Sequence, residues 1–173
     1  MASYYYLISS LPTLSADGGM PFSYEEFLRL CQSNVSGETY KLLEELDLSS
    51  DKGPLLDEWG AFYRSLSKEL NLQRSVKLGK AYPVVFDKDP ISSSVASAAV
   101  AAGDPLTAER ILLAYEFDRL DDMVGLHSFD DFVLFGYALK LRLLERACSF
   151  EKKKGEKEFS DILKGLEDQV MSL

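Results

Sequence analysis

The sequence predicts an all-α fold, a single-domain helical bundle built around one apolar helix at about residues 129–150. Three observations lead there. Apolar residues recur at helical spacing in stripes along most of the chain. Several stripes begin at residues suited to helix N-caps and stop at glycine or proline. The stretch from Phe129 to Phe150 is apolar nearly all round, so it needs neighbours on most sides. With 173 residues the chain suits one domain, and no internal repeat or linker divides residues 1–173. A chain of this size buries roughly 70% of its unfolded surface and needs no staple to fold.

Residues 3–11, SYYYLISSL, carry strand-favouring tyrosines, but their alternation is poor and no second strand stands near to pair with them. A helix ended by Pro12 is the better reading. Residues 15–21, SADGGMP, form a loop. Ser23 and Glu26 make a capping box, and Phe22 and Phe27 stand at the positions of a hydrophobic staple. Tyr24, Phe27, Leu28 and Cys31 then line one helix face. A short helix over 36–46 turns Tyr40, Leu43 and Leu46 inward. After the turn SSDKGP (49–54), Leu55, Trp59, Phe62, Tyr63, Leu66 and Leu70 form one stripe. Trp59 reads as a core anchor.

Residues 71–89 contain Gly79 and Pro83 and fit either an extended segment or a broken helix. Pro90–Ala102, rich in alanine and serine, suits a closely packed helix with Gly103 as its cap residue. Asp104 caps the next helix, with Pro105 at its first position, where no partner for an N–H is needed. Leu113, Phe117, Leu120 and Val124 follow, and Gly125 stops the helix. Ser128 with Asp131 has the spacing of a capping box that starts the central helix. Gly136 sits among large side chains, which implies close passage of a neighbour, expected to be the Leu113–Phe117–Leu120 face. Past the central helix, Phe159, Ile162, Leu163, Leu166 and Val170 form an amphipathic stripe, with Gly155 breaking or bending the helix before it.

Composition limits the function. The chain is 46% hydrophobic and 27% charged, and its formal charge of −9 argues against nucleic acid or an anionic membrane as partner. The lysine run 152–154 is followed at once by Glu156 and Glu158 and reads as a solvated face. Cys31 and Cys148 read as reduced core thiols. The N-terminus lacks a basic region and Pro12 interrupts its apolar run, so no signal peptide is expected. No run reaches the roughly 18 apolar residues of a membrane span.

Chemistry-bearing motifs fail one by one. Gly79-Lys80 lacks the upstream glycine and the following Ser or Thr of a phosphate loop. Gly18-Gly19 lies outside any strand–turn–helix setting. His127 is the single histidine, which excludes a His-rich metal site and leaves a capping or surface role. No nucleophile-elbow sequence accompanies it. Glu109, Glu116, Asp118, Asp121 and Asp122 crowd one helix, but no Glu-x-x-His completes a di-metal pattern. With Arg110, Arg119, Arg142 and Arg146 available, salt-bridged helix faces fit better. There is room for one pair buried between the helices, where Arg matches a carboxylate bidentately. No catalytic, cofactor, nucleotide or metal residue is assigned.

Three segments carry a family resemblance: YYYLISSLP, DPLTAERILLAYEFDRLDDMV and FDDFVLFGYALKLRLLERA. Pro105, Glu109, Leu120 with Asp121, Phe129, Tyr137, Lys140-Leu141 and Arg146 are its marks. The chain resembles small uncharacterised proteins encoded beside bacterial V-type ATPases, which are themselves distantly similar to the C (or d) subunit. That subunit is an all-helical funnel between the membrane rotor ring and the central stalk, longer than this chain and built with pseudo-repeats absent here. The resemblance implies a non-catalytic component or assembly factor of the ATPase, cytoplasmic and peripheral to the inner membrane through the complex. Its partners would be the central stalk and the rotor ring. A generic helical interaction module unrelated to the ATPase is the alternative.

Overall fold

The computed structural model describes residues 4–80 and 89–149. Among them lie seven α-helices and no strand. They are α1 (Tyr5–Ser10), α2 (Tyr24–Gln32), α3 (Gly37–Glu44), α4 (Leu56–Lys77), α5 (Pro90–Ala101), α6 (Pro105–Val124) and α7 (Asp131–Cys148). The sequence therefore predicts the fold class correctly.

The N-terminal tyrosines are helical, and Leu11 is extended at ψ 135° because the residue before a proline avoids the helical region. The capping box of α2 is complete. The Glu26 N–H donates to Ser23 Oγ at 3.2 Å and the Ser23 N–H to Glu26 Oε2 at 2.9 Å. Phe22 and Phe27 both lie against the Tyr137 ring, so the expected staple closes through α7. Ser36 caps α3, and the Tyr24 hydroxyl donates to the Leu43 carbonyl at 2.8 Å, tying α2 to α3. In α4, Trp59 is fully enclosed and its indole N–H donates to the Leu48 carbonyl at 3.1 Å. Gly60 lets α4 approach the preceding turn; a Cβ there would stand 3.0 Å from the Ser50 carbonyl.

α4 packs on α5, α5 on α6 and α6 on α7, while α2 covers another side of α7 and carries α3. α7 is thus the central helix. Leu134, Phe135, Ala138, Leu139, Leu141, Leu143 and Leu144 are all buried. Full burial of a leucine or phenylalanine side chain stabilises the fold by roughly 1.5–3 kcal/mol.

Several expectations need correction. Ala102, extended at ψ 144°, closes α5, so Gly103 is not its cap. The cap of α7 is Asp130, whose carboxylate accepts from the Val133 N–H at 3.3 Å, and not Ser128 with Asp131. Phe129 at φ +56° redirects the chain so that Asp130 meets the first turn, and Asp131 instead accepts from the Tyr4 hydroxyl at 2.8 Å. The central helix begins two residues later than its apolar run. Around Gly136 the close neighbours are Val124 and Leu55, not the Leu113–Phe117–Leu120 face. In an antiparallel hairpin, the early turns of α7 lie beside the last turn of α6. Cys31 is a core thiol and Cys148 is exposed; both are free. α4 runs on past Leu70 to Lys77, whereas residues 81–88, the lysine run, Gly155 and the 159–170 stripe lie outside the described residues.

Candidate functional site

α6 and α7 are joined by a buried charge cluster. Glu109 and Glu116 stand seven residues apart, two helical turns, so both side chains face α7. Arg146, in the last turn of α7, meets both. Its Nε donates to Glu109 Oε1 at 2.6 Å and its Nη1 to Glu116 Oε1 at 3.0 Å, and Nη2 donates to Glu116 Oε2. Nη1 also stands 3.5 Å from the Tyr63 hydroxyl of α4, whose ring stacks on Trp59. The Glu116 and Glu109 side chains are only 2% and 9% exposed.

Electrostatics explain why the cluster persists. Burial alone would lower the Arg146 guanidinium. The hydrogen bonds and charge of Glu116, then of Glu109, outweigh it and hold the group above its ordinary value. Burial pushes the Glu116 carboxyl up while the Arg146 bonds pull it back. All three guanidinium nitrogens donate within the cluster. The arrangement can clamp α4, α6 and α7 together.

His127 stands at the α6–α7 turn. Its Nδ1 lies 2.6 Å from Asp130 Oδ2, and its ring stacks on Phe132 with centroids 4.2 Å apart. It steadies the carboxylate that caps α7 and is not itself the cap, where a capping or surface role was expected. Asp121 accepts from Lys140 at 2.5 Å, and Asp122 lies 3.9 Å from Arg119. Among the described residues no three His, Cys, Asp or Glu side chains converge as metal ligands would.

Two features escaped the sequence reading. Glu69 in α4 is buried; its Oε1 accepts from Gln73 and Ser93, and its Oε2 has no partner among the described residues. Its position three residues from both Leu66 and Leu72, within the stripe, was the available signal. Arg142 donates to the Leu46 carbonyl at 3.1 Å and lies over the Tyr24 ring, so it closes the end of α3 across the core. A cleft of about 490 Å³ opens beside Glu109, between the ends of α4 and α5 and the start of α6. Leu70, Ala99, Ala108 and Leu112 line it, with Arg74 and Lys77 at its edge. Lys77 is already committed to the Val100 carbonyl at 2.6 Å.

Residues 96–170 match a family described as a protein of unknown function, DUF2764. The match takes in the second half of α5 and all of α6 and α7, and with them the whole Glu109–Glu116–Arg146 cluster apart from Tyr63. No curated protein and no solved structure matches the chain.

Proposed function

We propose that this chain is a non-catalytic component or assembly factor of a bacterial V-type ATPase, a C/d-like coupler between rotor ring and central stalk. One observation carries the reading beyond the resemblance itself. The positions that bear the resemblance pair with one another across the α6–α7 interface. Glu109 meets Arg146 and Asp121 meets Lys140, while the Tyr137 hydroxyl reaches back to the Pro12 carbonyl at 3.0 Å. They belong to one rigid unit, and a coupler that transmits torque needs such a unit. Charge-assisted bonds between packed helices resist sliding better than apolar contact alone, because their geometry is directional. The formal charge of −9 favours encounter with a basic partner surface. Among the described residues no helix is long and apolar enough to cross a membrane, so a rotor ring would be met from outside the bilayer.

Affinity purification of the native protein from gently solubilised membranes tests this. The expected result is co-purification of V-type ATPase stalk and ring subunits in fixed ratio. Absence of ATPase subunits from the purified protein, together with unchanged ATPase assembly in cells that lack the chain, would sink the proposal. The chain would then be an interaction module outside the ATPase.

A further inference from the structure

We infer that the tip of the α6–α7 hairpin, together with α1, is a docking surface for the basic face of a helical protein partner. The partner's identity rests on the function proposed above; the surface does not. Leu126 is 102% exposed, Tyr6 86% and Tyr5 54%. A single exposed apolar side chain is ordinary, but a connected group of them marks a contact site. The aromatic ones are connected: the Tyr5 ring lies 4.7 Å from Phe129 and 5.5 Å from Tyr6. Leu126 stands three residues before Phe129 in the same α6–α7 connection. The Tyr4 N–H donates to the Phe129 carbonyl at 2.7 Å, which fixes α1 against the tip. Phe129 holds φ +56°, a conformation bulky residues rarely adopt, and in it the ring stays beside Tyr5.

Charge selects the occupant. Residues 118–131 carry Asp118, Asp121, Asp122, Asp130 and Asp131 against Arg119 alone, so five negative charges less one positive leave −4. Lys140 of α7 answers one of them, Asp121. A second copy of the chain would bring the same acidic rim to a two-fold contact, and an anionic membrane would be repelled. A partner helix with basic residues flanking an apolar strip satisfies both rim and centre. Aromatic side chains are favoured anchors in such contacts.

The test compares the full chain with its Tyr6→Ser/Leu126→Ser variant. Both side chains are solvent-exposed, so the urea midpoint should not move. Calorimetry measures binding to two probes: the purified central-stalk subunit pair of the ATPase, and a synthetic amphipathic lysine–leucine helix. The expected result is binding of the stalk pair that weakens about tenfold or more in the variant, and weakens also with salt. Equal stalk binding by both chains would overturn the surface and leave the proposed function standing. Variant-sensitive binding of the synthetic helix without stalk binding would keep the surface and remove the proposed partner. Binding of neither probe would overturn both. Dimerisation, or binding to phosphatidylglycerol vesicles, that the variant abolishes would replace the inferred occupant and overturn the inference.

Discussion

Replacing Arg146 with methionine removes every donor of the buried cluster while leaving a stem of similar length to pack. Glu116, 2% exposed, and Glu109, 9% exposed, then lose the one cation paired with them among the described residues. Breaking a buried pair in this way costs about 3–5 kcal/mol, because the remaining charge stays out of water unpaired. Most of the loss belongs to Glu116. Glu109 borders the cleft beside Leu112 and can draw on solvent there. Burial already raises the Glu116 carboxyl, and without Arg146 the opposing hydrogen bonds and charge vanish, so it rises further. A carboxyl raised in the folded state favours the protonated form. The folded variant is therefore least penalised below the ordinary glutamate value of 4.5, and stability is lost as the pH rises through the folded value. Urea unfolding followed by far-UV circular dichroism, at neutral pH and near pH 4.5, reads both effects. Adding Glu109→Leu and Glu116→Leu to the variant should recover most of the loss, since an apolar replacement of a whole buried cluster is often neutral or better. A loss under about 1 kcal/mol, or a deficit equal at both pH values, would refute the clamp.

Gly136→Leu should destabilise by about 1–3 kcal/mol, because even a Cβ there would stand 2.6 Å from Val124 Cγ2; a raised urea midpoint would mean that the hairpin opens without cost. Ser23→Ala should cost about 1 kcal/mol through loss of the α2 cap, and an unchanged midpoint would show the box to be idle. The carboxylates of Asp89 and Asp104 sit below the ordinary aspartate value of 3.8, held chiefly by the hydroxyls of Ser92 and Thr107. Their contribution is present above that value and lost as the pH falls through the lower folded values. Asp104→Asn, which keeps a capping oxygen, should therefore flatten the acid limb of the stability profile, and a limb as steep as in the parent would contradict this.

The candidate site was half legible. Glu109 and Glu116 announced themselves by their seven-residue spacing, and Arg146 stood among the four arginines available to them. Which arginine met them was decided by the antiparallel packing of α6 and α7, which sets the last turn of α7 beside the first half of α6. Arg110, one residue from Glu109, was closer in sequence and projects to another face. Glu69 was missed because a carboxylate inside an apolar stripe reads as a break in it. The Gln73 amide one turn on and the hydroxyl of Ser93, brought in by α5, both donate to it where it is buried.

Interactions that close within one helical turn were set by the sequence alone. Ser23 with Glu26, Ser36 with Thr39 and Asp104 with Thr107 each join residues three apart, which the first turn of a helix brings within reach. Helical periodicity likewise determined which faces of α2, α4 and α7 turn inward. The start of α7 was settled by tertiary structure. Ser128 and Asp130 are both competent caps, and the choice fell to Asp130 once Tyr4, more than a hundred residues away, claimed Asp131 and the Phe129 carbonyl. The exposure of Cys148 and the neighbours of Gly136 were decided the same way. They depend on where a second helix ends in space, and no pattern in the residues of one helix carries that information.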